Sequence, residues 1–192
     1  PINPYGETKR TFEGALRWYG AAYGLRSVTL RYFNVAGATD ALGEDHDPET
    51  HLIPTVLAAV EGGSSLTIYG ADYPTPDGTC IRDYVHVADL ATAHALALDW
   101  TARAASCAGE AINLGTGREI AVGDLATLIF KRLGMAPHVG VDTRRLRPPS
   151  SEVERLVCDA SRAKRVLGWA PAVSLEEGLA TDVGQAEAVA VT

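Results

Sequence analysis

Apolar residues at helical spacing alternate along this chain with short runs of β-branched and aromatic residues, and glycines or proline-rich turns punctuate the segments. Alternation of this kind is the pattern of an α/β fold, in which helices cover a mostly parallel sheet. Phe12, Ala15, Leu16, Tyr19 and Tyr23 predict a first helix that Asn3 caps, Pro4 opens and Gly24 stops. Residues 26–32 predict a strand, 36–50 a loop, 51–61 a helix and 66–69 a short strand. A turn-rich stretch over 70–79 leads to an extended run at 82–87. The Ala/Leu-rich segment 88–100 then predicts a helix buried between layers. The second half repeats the alternation: strand 111–114, helix 122–133, a short strand around 138–141, a basic proline-rich loop 144–151, strand 155–158, and helices 161–167 and 175–187. Residues 188–192 are expected to fray.

Composition narrows the function classes. With 192 residues and 46% hydrophobic content the chain can bury one good-sized core, or one domain and part of another. No run approaches the ~18 consecutive apolar residues of a membrane span, and no charged segment leads into an apolar one at the start. Net charge -7 and pI near 5.2 argue against non-specific nucleic-acid binding. Arg144, Arg145 and Arg147 form a local basic knot sized for one phosphorylated small molecule. Three scattered cysteines, Cys80, Cys107 and Cys158, fit neither a disulfide framework nor a paired-cysteine zinc site. A reducing, cytoplasmic setting is expected. Asp45-His46-Asp47-Pro48-Glu49 looks like a metal cluster, but a solvated loop is the reading taken and no metal is expected.

The chemistry is concentrated at the start. Tyr5 and Lys9 stand four apart and share one face of the first helix. Tyrosine is a poor base at neutral pH, and a nearby ammonium favours its phenolate, so the couple can shuttle a hydroxyl proton. Seven tyrosines and three lysines would give such a spacing by chance roughly 0.1 times, so the pair alone is only suggestive. The chain lacks H-E-x-x-H, a P-loop and G-x-S-x-G. The nearest approach to the dinucleotide turn G-x-G-x-x-G is Gly115-Thr116-Gly117, which lacks the third glycine and comes late.

Longer words add to the pair. Pro4-Tyr5-Gly6-Glu7-Thr8-Lys9, Leu30-Arg31-Tyr32-Phe33-Asn34-Val35-Ala36-Gly37, His51-Leu52-Ile53-Pro54, the run Asp72 to Leu90, and Asn113-Leu114-Gly115 follow one another in order. This order resembles the extended short-chain dehydrogenase/reductases of the NAD-dependent epimerase/dehydratase family, and within it the UDP-glucose 4-epimerases. The likeness covers about the first 120 residues, and Leu167-Gly168-Trp169 is also similar.

The resemblance implies the C-terminal part of a Rossmann-like, doubly wound NAD-binding domain plus a smaller α/β sugar-nucleotide-binding domain. Residues 1–35 would end the first domain, and 36–192 would be mainly the second, with 82–115 returning to the Rossmann-like sheet. NAD is the implied cofactor, a UDP-sugar the implied substrate and a homodimer the implied assembly of the full-length parent. Tyr5 and Lys9 would be catalytic and, with Phe33, would face the cofactor. Asn34, His51, Leu52, Thr67, Ile68, Tyr69, Arg82, Arg147 and Glu152 would bind substrate, with Leu156 near the sugar. The missing glycine turn implies a fragment whose parent supplies the NAD cradle, and exposed sheet edges would make the piece alone poorly soluble.

Other readings stay open. Residues 145–153 depart from the usual epimerase run, and 152–159 with 174–179 look more like nucleotide-sugar dehydratases and related epimerases. A 4,6-dehydratase is thus the nearest alternative, and a non-catalytic sugar-nucleotide-binding or complementing module is the alternative of another class. Among bland readings, Arg82 and Asp83 could form an internal ion pair, and His86 and His94 could be satisfied structural histidines.

Overall fold

Asn3 accepts a hydrogen bond from the Gly6 N–H at 2.8 Å, and Pro4 needs no amide partner, so the chain enters helix α1 (Pro4–Tyr23) at once. The helix ends where Gly24 adopts a left-handed φ of 71° that a side chain would resist. The computed structural model describes residues 1–39, 42–44, 46–104, 107–142 and 148–190. After α1 come β1 (Val28–Tyr32), β2 (Asn34–Ala36), α2 (Leu52–Glu61), β3 (Leu66–Tyr69), β4 (Ile81–Arg82), β5 (Tyr84–His86) and α3 (Val87–Arg103). The second half supplies β6 (Glu110–Leu114), β7 (Ile120–Ala121), α4 (Val122–Arg132), β8 (Val139–Asp142), a 3₁₀ turn at Pro149–Ser151, α5 (Ser161–Leu167) and α6 (Leu175–Ala190).

Among the described residues three strand pairs are parallel, β1 with β6, β2 with β5, and β3 with β8, and only β4 with β7 is antiparallel. Two apolar cores result. One joins α2, β3, α4 and α6 through Val56, Ile68, Leu125, Phe130 and Leu179. The other joins β1, α3, β6 and α5 through Ala93, Ile112, Leu114, Ala163 and Trp169. Each fully buried leucine, isoleucine or phenylalanine contributes ~1.5–3 kcal/mol relative to exposure.

Buried carboxylates connect these parts. Asp83 is 0% exposed and accepts from Thr116 N–H, Thr116 Oγ1–H, Gly117 N–H and Cys158 N–H at 2.6–3.0 Å. Asp89 accepts from Ala172 and Val173 N–H at 3.0 Å, which fastens the approach to α6 onto α3. Glu13, the one buried residue of α1 among those described, receives a two-pronged bond from the Arg31 guanidinium of β1.

The first helix forms as expected, with Phe12, Tyr19 and Tyr23 exposed and polar Glu13 its buried contact among the described residues. Several other expectations need correction. Helix α3 is covered on one side only, by Leu90, Ala93 and Ala97 at helical spacing, while Leu98 on the other side is 72% exposed. The strand expected at 155–158 reduces to a single bridge between Ile81 and Arg155, because the Cys158 amide bonds the Asp83 carboxylate. Helix α6 runs to Ala190, past the expected end. Arg82 and Asp83 do not pair: neighbours on an extended chain point to opposite faces, and each finds another partner. His86 and His94 are structural, His86 capping α3 through Ala88 N–H at 3.1 Å and His94 Nδ1 meeting Leu90 O at 2.8 Å. No helix among the described residues is long and apolar enough to cross a membrane.

Asp83→Ala in the intact protein would strand three backbone N–H groups. Thermal or denaturant unfolding is expected to show a loss of ~3–5 kcal/mol, the range for breaking a buried charged network.

Candidate active site

Tyr5 lies on the first turn of α1 with 72% of its surface exposed, and Lys9 Nζ sits 5.0 Å from its ring centroid. Spacing alone produces this: residues four apart on a helix stack on one face. Among the described residues neither the phenol oxygen nor the ammonium has a hydrogen bond or ion pair within the chain. The turn itself is tied down, since Asn3 Nδ2 donates to Ser151 O at 3.2 Å and so joins the start of α1 to the segment carrying Glu152.

Phe33 and Asn34 follow from the end of β1. Phe33 N–H bonds Leu114 O at 3.2 Å and Asn34 N–H bonds Asp83 O at 3.0 Å, so the chain changes partner between these residues; both are half-buried. In the parallel register Asn34 stands opposite Tyr84, two residues from Arg82.

Arg82 and Glu152 meet directly. Arg82 Nη2 donates to Glu152 Oε1 at 3.0 Å, and Nη1 donates to Ile81 O and Val153 O at 2.9 and 2.7 Å. Both side chains are largely buried, 14% and 13% exposed, so the pair is held rather than loosely solvated. Arginine carries five N–H groups, of which these bonds use three among the described residues. Leu156 stands alongside, its N–H bonding Ile81 O at 3.0 Å, its side chain 39% exposed.

The remaining predicted residues belong to a second group. His51 is exposed at the N-cap position of α2, and half-buried Leu52 begins that helix and packs on the first core. On β3 the alternation turns Thr67 and Tyr69 outward and Ile68 into the core, which leaves Ile68 only its backbone for a ligand. No hydrogen bond or ion pair among the described residues joins this group to Arg82. Arg147 lies outside the described residues.

Other reactive groups are accounted for by burial. The Tyr84 phenol is pushed up to about 12 by burial, against the pull of Arg82, so it is no base at neutral pH. Burial, then the neighbouring Asp83 and Asp159 charges, push the Cys158 thiol up to about 12 and rule out a ready thiolate. The Gly115-Thr116-Gly117 turn is not a phosphate cradle in the described fold: Asp83 takes the amides of Thr116 and Gly117. A Cβ on Gly115 would sit 2.4 Å from Cys158 Cβ, so close packing requires that glycine. A cavity of about 300 Å³ lies elsewhere, lined by Tyr84, Thr116, Arg118, Ile120 and residues 171–175, and takes in none of the predicted residues that the structure describes.

Sequence reasoning missed Asp83 as the organiser of the Arg82 region. The available signal was the alternation of the extended run 82–87, which sends Arg82 and Asp83 to opposite faces.

A family model described as GDP-mannose 4,6 dehydratase matches residues 1–181, and the chain belongs to that family of nucleotide-sugar epimerases and dehydratases. Within it the chain is similar to the UDP-glucose 4-epimerase of Lacticaseibacillus casei, 43% identical over 174 residues covering 89% of this chain and 51% of that protein. The UDP-glucose 4-epimerase of Rhizobium meliloti is 44% identical over 178 residues, covering 91% and 52%. Among solved structures, UDP-glucose 4-epimerase from Brucella ovis in complex with NAD superposes with a TM-score of 0.83 at 44% identity, covering 96% of this chain and 56% of that one. The Bifidobacterium longum enzyme in complex with NAD⁺ and UDP gives 0.80 at 34%, covering 94% and 53%. The chain spans about half the length of the curated relatives it matches.

Removing Arg82 and Glu152 singly and together, as Arg82→Met and Glu152→Gln, is expected to be non-additive by ~0.5–3 kcal/mol in unfolding experiments on the intact protein, as for residues in direct contact. Additive effects would mean that the pair does not act as a unit.

Proposed function

We propose that this chain provides the proton shuttle and much of the nucleotide-sugar site of an NAD-dependent enzyme that inverts C4 of a UDP-sugar, interconverting UDP-glucose and UDP-galactose. The observation that carries the reading is the unpartnered Tyr5–Lys9 couple on the first turn of α1, in a chain 41–44% identical to UDP-glucose 4-epimerases over about nine-tenths of its length. Those relatives favour epimerisation over the dehydration described by the family model.

The donor chemistry fits the implied cofactor: an open phenol and an open ammonium suit ribose hydroxyls, and Phe33 offers a flat apolar face. When bound, NAD supplies a reversible acceptor for the C4 hydride. Tyr5 takes the proton of the sugar 4-hydroxyl, and Lys9 sets a positive charge beside the ring during the transfer. Tyr5 then holds that proton and would return it to the same oxygen when C4 is reduced from its other face. Arg82 meets the diphosphate, and Glu152 orients Arg82 or a ribose hydroxyl. Asn34 bonds the sugar or diphosphate, while His51, Leu52, Thr67, Tyr69 and the Ile68 backbone line the uridine side. Arg147 is the second cation proposed for the phosphates.

Parallel pairing of β1 with β6 supports assigning residues 1–35 and 82–115 to one sheet of the NAD-binding domain, with most of 36–192 forming the substrate domain. The net charge of -7 supports a small-molecule partner rather than nucleic acid, and three free cysteines support a reducing, cytoplasmic setting. The aromatic face of α1, with Phe12, Trp18 and Tyr19 more than half exposed, supports a homodimer.

In the intact protein Tyr5→Phe is expected to cut turnover by at least ~100-fold while UDP-glucose affinity stays within about threefold, measured by coupled assay and calorimetry. Ordinary turnover would sink the shuttle. Sedimentation of the intact protein is expected to give a dimer mass, and the double change Phe12→Asp, Tyr19→Asp to give a monomer.

A further inference from the structure

The loop between β2 and α2 gathers two imidazoles and two carboxylates. Glu44, His46, Glu49 and His51 each bring one potential ligand atom into a set whose members lie within 4.8 Å of one another. Glu44 Oε1 is 2.9 Å from His46 Nδ1 and 2.6 Å from His51 Nδ1, and Glu49 Oε1 is 3.1 Å from His51 Nδ1. The two rings stand edge to face with centroids 5.0 Å apart. Only His51 has a place in the proposed nucleotide-sugar site.

We propose that Glu44, His46, Glu49 and His51 together bind one divalent transition-metal ion, with zinc the best match. Two neutral imidazoles and two carboxylates form a donor set that zinc takes tetrahedrally with bonds of ~2.0–2.2 Å. A tetrahedron of that size separates its ligand atoms by about 3.4 Å. The contacts of 2.6–3.1 Å and the outer limit of 4.8 Å bracket this value, so rotamer adjustments of about an ångström close the shell. Both rings turn the same nitrogen, Nδ1, toward one carboxylate oxygen. An ion at that point takes the Nδ1 lone pair of each neutral ring, whose N–H is then Nε2. Magnesium and calcium, which prefer all-oxygen shells, match the imidazoles poorly.

Two ligands are oriented from outside the cluster. Glu49 Oε1 accepts the N–H of Thr50 and of His51 at 2.6 Å, and His51 O accepts the Thr55 N–H of the first α2 turn at 3.1 Å. Such outer contacts fix ligand direction. Exposed imidazole–carboxylate pairs in water stabilise little, whereas an ion gives four side chains on an eight-residue segment a reason to converge. With four protein ligands and no open position, the centre is a clamp on the loop that leads into α2, not a second catalytic site.

The test is independent of turnover, so it separates this site from the proposed epimerase chemistry. Metal-free intact protein is titrated with zinc chloride by calorimetry and with cobalt chloride by visible absorption. One zinc ion per chain with micromolar or tighter affinity is expected, along with the intense visible bands of four-coordinate cobalt and little response to magnesium. His46→Ala and Glu44→Gln, with unchanged circular dichroism, are each expected to weaken zinc about tenfold or more. Absence of saturable zinc binding to the unaltered protein, or unchanged affinity in both variants, overturns the proposal; should one variant misfold, the other and the cobalt spectrum decide.

Discussion

The Asp83 carboxylate is the constraint on which the arrangement depends. A fully buried charge is tolerable only when its oxygens are saturated, and four donors from two distant segments provide that. Because the donors must point inward, the chain after β6 has to turn at Gly115-Thr116-Gly117, and the chain at Cys158 has to run past the same point. Alternation then dictates the neighbours. Val85 falls on the same side as Asp83 and joins the β1–α3–β6–α5 core, while Tyr84 joins the α2–β3–α4–α6 core. One short extended run thus sits between both cores, and the Arg82–Glu152 pair is held at its edge.

The two functional groupings are supported differently. Arg82 is fixed by carbonyls, a carboxylate and burial, which suits the diphosphate contact proposed for it, since little rotamer freedom is left to lose. Tyr5 and Lys9 are fixed only by their helix. That helix is oriented at one end by Asn3 against Ser151 and in its middle by Glu13 against Arg31. Its polar anchors leave Phe12, Trp18 and Tyr19 outward, so one element carries both the couple proposed as proton shuttle and the face proposed for dimer contact.

Much of this was legible in the sequence. The boundaries of α1, β3 and α5 follow from caps, glycines and short β-rich runs, which are local signals. The Tyr5–Lys9 stack also follows from helical spacing alone. Long-range choices were not legible. That Phe12 and Tyr19 face outward while Glu13 is buried depends on Arg31 of β1, which no pattern within α1 reveals. The one-sided covering of α3 likewise depends on what packs against it, and an Ala/Leu-rich segment reads the same in either case. The loop leading into α2 adds a further case, because the order of residues reads as a solvated run, and exposed it largely is, yet the approach of Glu44, His46, Glu49 and His51 to within 4.8 Å of one another follows from the fold and from no local pattern.

The consumption of the Gly-Thr-Gly amides by Asp83 also decides how this chain can recognise anions. Backbone N–H groups at a glycine turn are the usual partners of a pyrophosphate, and here those of Thr116 and Gly117 already serve a buried carboxylate. A phosphate competing for them would have to displace that internal charge and leave it unpaired, which costs more than the new contacts return. The diphosphate contact proposed for this part of the fold is therefore left to side-chain cations at the edge of the extended run. Arg82 fits that task because its carboxylate partner holds the guanidinium in place while taking one of its N–H groups.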